Sequence, residues 1–363
     1  MMKTVFSLIG AMALSFCLTA PLSAQNLSEF KSAFENSGIK PKKKAPRKVY
    51  INTFKVMVEM YREDVDYKAK KEFRGQGRAE ATAAAALGLT GVNTKALQDK
   101  ADKLYEEFVA DLTSKGFTII NVNEAKKAEY FKNAKDFTGP LVRESANPGI
   151  LEILPSNFRG LTTERDLAGK KDNKSTGIMA NFQSLKGIVK NTNVLSKQLG
   201  DAIVIDVNLV LGWSEAGSNW IRSMAGANAK VQTNLALGSK EVSAPKTDNA
   251  LSSRGREEYY KLPNTMTVAQ GSGLKGVTWE GYLKKPIFIG GVLENTKTES
   301  FNRGAASKTY EFGDLFVVTE WKSTFSENAK FVQVDGEKFA NALYLSGKAF
   351  LNDQLNYFYN QYK

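Results

Sequence analysis

The sequence predicts one large α/β or α+β domain, with a mixed β-sheet flanked by at least three helices. Two kinds of pattern support this fold class. Runs with alternating apolar residues are typical of strands, and stretches with apolar residues three and four apart are typical of helices. The unit helix–glycine–strand occurs twice, at Thr94–Val122 and Thr176–Trp213. A composition of 42% hydrophobic and 24% charged residues is ordinary for a globular protein.

The first core strand is predicted at Val49–Tyr61, where the apolar alternation changes phase. Apolar residues occupy one phase up to Ile51 and the opposite phase from Phe54 onward. A slip of one residue turns every later side chain to the other face of a sheet. We therefore expect a bulge or break near Asn52-Thr53, which would let both halves face the same core.

The segment that follows, Arg78–Val92, is rich in alanine and glycine. Its composition is compatible with a thin helix packed closely against a neighbour and equally with a mobile segment. The sequence leaves these two interpretations open.

The clearest helix is predicted at Thr94–Lys115, with one apolar stripe along it. Asn93 can cap its start and Gly116 suits its end. A strand at Phe117–Val122 follows at once. A second helix is predicted at Thr176–Leu199, ended by Gly200.

The remaining chain reads mainly as strands. We expect Asp201–Trp213 and Ala229–Leu237 to pair as an antiparallel hairpin, and Glu241–Gly273 to form a long loop. Further strands are predicted at Val277–Leu283, Pro286–Val292, Thr309–Phe325 and Lys330–Val334. Asp335 should cap a closing helix. Its apolar stripe is Phe339, Leu343, Gly347, Leu351, Leu355 and Phe358.

The N-terminus, Met1–Ala24, has the pattern of a secretory signal peptide. Lys3 is followed by the apolar run Val5–Leu18 and by the small-residue cleavage site Leu22-Ser23-Ala24. The apolar run is shorter than the roughly 20 residues of a membrane span. We therefore predict an exported protein that is periplasmic, outer-membrane-associated or extracellular.

Histidine is absent from the chain, and Cys17 is its one cysteine. Cys17 lies inside the predicted signal peptide, and the bulky Phe16 before it departs from a lipoprotein signal. The mature chain would then be cysteine-free. This composition excludes a Ser-His-Asp triad, a Cys-His pair, and ordinary zinc and haem ligation. No cofactor and no metal site are predicted, and an enzyme is disfavoured.

The formal net charge is +12, and the positive charge is most concentrated between Lys40 and Lys48. We predict that residues 25–48 form a basic linker rich in proline and lysine, ahead of a domain at 49–363. Candidate contacts to an anionic surface are Lys42, Lys43, Lys44 and Arg47. A plain extended linker is the competing interpretation.

Carboxylates are the main catalytic groups that this composition leaves. The candidates in or near ordered-looking segments are Glu80, Asp206, Glu280, Asp314 and Glu320. A polysaccharide hydrolase would need two of them facing each other across a cleft. A second open alternative is that the strands at 201–213 and 229–237 form a membrane-facing hairpin.

Three segments taken together carry a family resemblance: Val49–Met60, Ser114–Val122 and Leu199–Val207. Their order resembles the periplasmic α/β domain of the curli-secretion-channel (CsgG-like) family of outer-membrane assembly proteins. In that family a helix and a Gly-Phe-x-Ile/Val strand precede a Gly-Ala-Asp-hydrophobic strand. The match covers about a third of the chain. The family's channel members are lipoproteins with membrane hairpins, and this sequence shows neither feature clearly.

The resemblance implies a role in envelope assembly or an oligomeric periplasmic ring. We accordingly predict an exported, non-enzymatic bacterial envelope protein, as an oligomeric secretion or outer-membrane assembly component. Its expected partners are envelope proteins or further copies of itself, together with an anionic surface, and no specific nucleic acid. The alternatives are a carboxylate-dependent polysaccharide hydrolase and a periplasmic ligand-binding protein.

Overall fold

The computed structural model describes the greater part of the chain between Gln25 and Tyr362. The described residues are 25–38, 46–68, 81–144, 149–162, 192–216, 230–238, 242–245, 259–262, 264–271, 276–294, 297–299, 301–302, 309–311, 324–326 and 329–362.

The elements comprise strands throughout the described chain and two long helices. One helix lies in the first third of the sequence and the other in its last 30 or so residues. The strands are β1 (Lys31–Gly38), β2 (Lys48–Glu59), β3 (Tyr61–Lys68), β4 (Ala81–Thr90), β5 (Thr118–Ile119), β6 (Lys135–Thr138), β7 (Leu141–Glu144), β8 (Ile150–Leu154), β9 (Arg159–Thr162), β10 (Ile203–Ala216), β11 (Lys230–Leu237), β12 (Val242–Pro245), β13 (Tyr259–Leu262), β14 (Thr265–Gln270), β15 (Val277–Lys285), β16 (Ile287–Phe288), β17 (Lys297–Glu299), β18 (Phe301–Asn302), β19 (Thr309–Glu311), β20 (Thr324–Ser326) and β21 (Lys330–Gln333). The helices are α1 (Thr94–Ser114), α2 (Val122–Ala125), α3 (192–198) and α4 (Gly336–Gln361), with a 3₁₀ turn at Glu129–Phe131.

An eleven-stranded mixed sheet organises the domain, and this confirms the predicted fold class. Its continuous path runs β1-β15-β14-β10-β2-β8-β7, while β5, β11, β16 and β17 join it laterally. β2 pairs in parallel with both β10 and β5, whereas β10 pairs with β14 and β11 in antiparallel fashion. A parallel centre inside a largely antiparallel sheet makes this a mixed sheet.

The predicted break in β2 is a bulge at Asn52. Ile205 lies opposite Ile51, but the next residue of β10, Asp206, lies opposite Thr53. Asn52 is therefore the extra residue. The bulge restores the phase, so that Ile51 before it and Phe54 after it both belong to the main hydrophobic core.

α1 and α4 cover one face of the sheet and run in the same direction. Tyr344 near the start of α4 lies beside Lys103 of α1, and Phe117 just after α1 contacts Phe358 near the end of α4. The predicted caps are confirmed. The side chain of Asn93 accepts a hydrogen bond from the Ala96 amide at 3.0 Å. Asp335 accepts hydrogen bonds from two amides in the first turn of α4.

The predicted apolar stripe of α4 is buried against the sheet. The face of β10 that is turned toward the helices is buried as well. Ile203, Leu209 and Trp213 are fully buried in the cluster shared with α1 and α4. The predicted antiparallel pairing of β10 with β11 is also confirmed. Helix packing therefore accounts for the apolar alternation of β10, and the membrane-facing alternative does not hold for this strand.

A smaller cluster occupies the opposite face of the sheet. Its members are Tyr50, Ile120, Val122, Ala125, Ala128, Phe131, Ala134, Leu161, Leu195, Ala202 and Val204. The predicted strand at Phe117–Val122 is shorter than expected, because only Thr118–Ile119 pairs with β2. Asn121 instead caps the short helix α2, with its side chain accepting from the Glu124 amide at 2.9 Å.

The alanine-rich segment is neither a helix nor a mobile region, because Ala81–Thr90 forms strand β4. β4 lies between β18 and β21 in a second sheet and also pairs with β3. Small residues suit this position because β4 approaches its neighbours closely. A Cβ at Gly88 would lie 2.4 Å from the Phe331 ring.

The stretch predicted as a loop at 241–273 contains three strands. β12 and β13 pair with each other, and β14 is an internal strand of the main sheet. Every residue of β14, Thr265–Gln270, is buried. The prediction of a loop was wrong here, because the short alternation Thr-Met-Thr-Val of β14 lies within a mainly polar stretch.

The predicted linker at 25–48 is partly incorporated into the fold. Leu27 bridges to Ile289, and the edge strand β1 pairs along its length with β15. The sequence of β1, Lys-Ser-Ala-Phe-Glu-Asn-Ser-Gly, is polar because edge strands carry charged side chains more readily than internal ones.

Several predictions fall outside the described residues. They are the signal peptide at 1–24, the basic residues Lys42, Lys43 and Lys44, the first part of the helix predicted at Thr176–Leu199, and the middle of the strand predicted at Thr309–Phe325. Among the described residues, no helix combines the length and apolarity needed to cross a bilayer.

Candidate functional site

Two β-hairpins start at the same end of the central strands β2 and β10: β3–β4 belongs to the second sheet, and β10–β11 is part of the main sheet. β2 and β10 run parallel, so their carboxyl ends lie at one edge of the sheet. Beyond Glu59, β2 continues through Met60 into β3, which forms an antiparallel hairpin with β4. Beyond Leu211, β10 continues to Ala216 and pairs with β11. We call the place where the two hairpins begin the hairpin junction. It comprises Glu59–Arg62, Gly149 and Trp213–Ser214.

A buried carboxylate, Glu59, holds the junction together. Glu59 is only 1% exposed. Its Oε2 accepts hydrogen bonds from the backbone amides of Trp213 at 2.9 Å and Ser214 at 3.0 Å. Its Oε1 accepts from the Ser214 hydroxyl at 2.8 Å and lies 3.5 Å from Nη1 of the buried Arg62. One side chain thus binds the base of both hairpins.

An irregularity in β10 makes this arrangement possible. The register with β11 shifts between Gly212 and Ser214. In a regular strand, successive amides point to opposite sides, but here two successive amides donate to one carboxylate. A shift of register permits that change of direction. The buried charge is then compensated by amide, hydroxyl and guanidinium donors, as a carboxylate in the interior requires.

A second contact fixes the turn from β2 into β3. The carbonyl of Gly149 accepts hydrogen bonds from the amides of Met60 at 2.8 Å and Tyr61 at 3.2 Å. The carbonyl of Met60 accepts from Leu89 of β4 at 2.9 Å. Gly149 has a φ of 77°, a conformation that glycine adopts without the strain a side chain would add. The junction therefore positions the first hairpin through backbone as well as side-chain bonds.

Glu59 is not among the site residues predicted from the sequence. Its signal was present, since Glu59 is one acid in the otherwise apolar run Val56–Met60, with Arg62 three residues later. An acid in such a run indicates a buried, paired carboxylate. The partner amides of Trp213 and Ser214, more than 150 residues away, could not have been found from that signal.

Of the four residues predicted to contact an anionic surface, the structure describes Arg47. Its Nη1 donates to the carbonyl of Lys115 at 3.2 Å and its Nη2 to the carbonyl of Tyr362 at 3.3 Å. The guanidinium also lies 5.5 Å from the centre of the Phe117 ring. α1 and α4 end side by side here, and the cation of Arg47 offsets the partial negative charge of both helix ends.

We expect Arg47→Gln to lower the free energy of unfolding by about 1 kcal/mol, because it removes the cation at two helix ends. Urea denaturation measures this difference. The matched control is Lys48→Gln, the exposed neighbour, for which a change below about 0.5 kcal/mol is expected. Equal effects of the two substitutions would show that Arg47 does not stabilise the helix ends.

Two of the five predicted carboxylates lie on one face of the sheet. Asp206 pairs with Thr267, which in turn pairs with Glu280, so the two acids are two strands apart, roughly 10 Å. Asp206 is only 6% exposed and accepts a hydrogen bond from Asn52 at 2.7 Å. Burial of Tyr50, and after it the nearby charge of Asp206, raise the pKa of Tyr50. The surroundings of Asp206 therefore fit an interior polar group better than a substrate-facing acid.

Glu80, Asp314 and Glu320 lie outside the described residues. Within the described ranges, no group of three or more acidic residues is arranged to hold a metal ion. Comparison of the chain with protein-family models, curated proteins and solved structures finds no match.

Proposed function

We propose that this chain is an exported, non-enzymatic protein of a bacterial envelope that works as an oligomeric secretion or outer-membrane assembly component. The observation that supports it best is the hairpin junction. Two hairpins start at one end of the sheet and are bound to the core by a single buried carboxylate, Glu59. Such a base holds both hairpins in a fixed direction relative to the domain, as surfaces that meet neighbouring copies require.

The arrangement of the three segments that carry the family resemblance also supports the proposal. β5, β2 and β10 lie side by side as parallel strands, with Lys48 opposite Thr118 and Val49 opposite both Ile119 and Ile203. α1 provides the crossover from the first hairpin to β5. The segments are thus neighbours in space, as one structural unit would require.

Assembly through the hairpins has a plain physical basis. A strand edge presents backbone N–H and C=O groups with which another chain's strand can pair. The lateral elements already show such pairing within one chain, because β17 pairs with β11 and β18 pairs with β4. Copies arranged head to tail would repeat this kind of contact and close into a ring.

We expect the chain lacking residues 1–24 to form a discrete oligomer and to bind purified bacterial envelopes. Size-exclusion chromatography with light scattering measures the first property, and co-sedimentation with envelopes measures the second. A strictly monomeric chain that stays in the supernatant would contradict the proposal.

The hydrolase alternative is tested on the same preparation. Release of reducing ends from an envelope polysaccharide, lost in Glu280→Gln and retained in Glu294→Gln, would show an enzyme. Glu294 is an exposed acid, and it provides the matched change of charge. The proposed function requires that neither the unsubstituted chain nor either variant releases reducing ends.

A further inference from the structure

A long groove runs along the outer seam between α1 and α4, far in sequence from the hairpin junction. One part, of about 380 Å³, is lined by Glu107, Asp111, Ser114, Lys348, Asn352 and neighbouring apolar residues. The next part, of about 430 Å³, is lined by Arg47, Lys115, Phe117, Asn356, Tyr359, Asn360 and Tyr362. Consecutive residues of both helices line the two parts, so we treat them as one feature, the seam groove.

Lysines converge on Tyr344, one helical turn before Lys348, where the lining of the seam groove begins. The ammonium groups of Lys100, Lys103 and Lys348 lie 5.8, 4.5 and 5.4 Å from the centre of the Tyr344 ring. Glu107 accepts hydrogen bonds from the Tyr344 hydroxyl and forms an ion pair with Lys348 at 2.9 Å. Within the described part of the chain, Lys100 forms no ion pair, so positive charge exceeds negative charge at this end.

Glu107 itself stays ionised at neutral pH. Partial burial raises its pKa, but hydrogen bonds from Lys348 and Tyr344 outweigh that effect, and the pKa lies below its ordinary value. The carboxylate is thus committed to Lys348 and Tyr344. Lys103 also forms an ion pair with Glu107, at 3.9 Å, whereas Lys100 forms none with the described chain.

The other end of the seam groove combines cations, amides and aromatic rings. The Lys115 ammonium lies 5.7 Å from the centre of the Tyr359 ring and forms no ion pair with the described chain. The amides of Asn356 and Asn360 are exposed and make no hydrogen bonds within the described part. Asp111 is the acid closest to this end, and it accepts a hydrogen bond from the Tyr359 hydroxyl at 2.8 Å.

The length and charge of the seam groove limit the class of ligand that it can bind. Its lining on α4 runs from Lys348 to Tyr362, roughly 21 Å at a rise of about 1.5 Å per residue. The lining of the groove has a net charge of +1, from three cations and two acids, and Lys100 and Lys103 just beyond its Lys348 end raise the total to +3. The cations of the lining are Arg47, Lys115 and Lys348, and the acids are Glu107 and Asp111.

We infer that the seam groove binds an extended acidic glycan, a chain of sugars that carry carboxylate groups. Ammonium groups at both ends match separated carboxylates, and the exposed amides of Asn352, Asn356 and Asn360 along the groove match sugar hydroxyls. Nucleic acid is the less suitable polyanion, because its charges are continuous and its bases need open aromatic faces for stacking. Here the Tyr359 ring packs beside Phe117 and Lys115, so its faces are largely taken.

This inference is independent of the proposed assembly role, since the groove contains no residue of the hairpin junction. The test uses the full mature chain and a fluorescein-labelled hexamer of galacturonic acid, with binding followed by fluorescence anisotropy. We expect saturable binding at low salt that weakens at high salt, because ammonium–carboxylate contacts at a surface are screened.

The decisive variant is Lys100→Gln/Lys103→Gln/Lys115→Gln, which removes three ammonium groups and leaves Arg47 and the Glu107–Lys348 pair in place. We expect it to bind at least about tenfold more weakly. The matched control is Lys284→Gln/Lys285→Gln/Lys330→Gln, in which the same change of charge falls on exposed strand residues. The control should bind within about twofold of the parent chain. Circular dichroism verifies that both variants are folded.

Four results would overturn the inference. They are no binding of the acidic hexamer, equal binding of a neutral glucose hexamer, tighter binding of single-stranded DNA, and equal loss of affinity in both triple variants. Oligomer formation in the same samples is measured separately, so failure of the glycan site and failure of the assembly proposal are told apart.

Discussion

Glu59→Ala is expected to lower the free energy of unfolding by about 3–5 kcal/mol, the range for removing one partner of a buried charged pair. The substitution leaves the buried amides of Trp213 and Ser214 without their acceptor. It also leaves the guanidinium of Arg62, 5% exposed, without its nearby carboxylate. Thermal and urea denaturation of the purified chain measure the change.

Two further variants separate charge from hydrogen bonding at this position. Glu59→Gln keeps one acceptor oxygen and removes the charge, so a smaller loss of about 2 kcal/mol is expected. Glu294→Ala removes an exposed acid and should change stability by less than about 0.5 kcal/mol. If Glu59→Ala were as mild as Glu294→Ala, the carboxylate would not be holding the hairpin junction.

Gly149→Ala is expected to lower the free energy of unfolding by about 3 kcal/mol, through backbone strain and a steric clash together. A φ of 77° costs a residue with a Cβ roughly 1–2 kcal/mol. In addition, a Cβ at this position would lie 2.5 Å from the carbonyl oxygen of Tyr61, and a backbone atom cannot easily move away. Relieving such a contact costs a further 1–3 kcal/mol or so.

The matched control is Gly200→Ala, which isolates the conformational cost. Gly200 has nearly the same φ, 73°, but a Cβ there would meet nothing within 4 Å. We expect a loss of only about 1 kcal/mol. Equal losses in urea denaturation for the two variants would show that the approach of Gly149 to Tyr61 has no energetic role.

The substitutions at Glu59 and Gly149 also bear on assembly. Both act at the base of the hairpins, and neither removes a residue from the outer edge of β3, β4 or β11. If fixed hairpins are needed for association, Glu59→Gln should weaken oligomer formation at a temperature where the chain remains folded. Arg47→Gln, at the other end of the helix layer, should leave association unchanged.

Local sequence patterns predicted much of the fold. The stripe of α4, the caps Asn93 and Asp335, and the β10–β11 hairpin rest on residues close in sequence, where 3.6-residue and two-residue periods are informative. The bulge at Asn52 was predictable as well, because a strand whose apolar phase changes can keep one face on the core only with an extra residue. These features follow from neighbours along the chain.

Other elements followed from contacts that no local pattern records. β4 was not predicted because alanine favours a helix and glycine is unfavourable in a strand, whereas close packing against Phe331 requires small residues here. β14 was not predicted because its short alternation of polar and apolar residues lies within a mainly polar stretch, and only the sheet shows that all six residues are buried. Arg47 was predicted as a surface contact, while its binding to two helix ends depends on where α1 and α4 meet.

By itself the sequence determined the fold class, the two long helices and the absence of histidine chemistry, because each depends on composition or on a short-range period. Only the tertiary structure decided where β10 packs, that Glu59 binds two distant hairpins, and that lysines of α1 meet Tyr344 of α4. Each of these depends on residues that are distant in sequence, and their contacts are fixed when the sheet and its helix layer pack together.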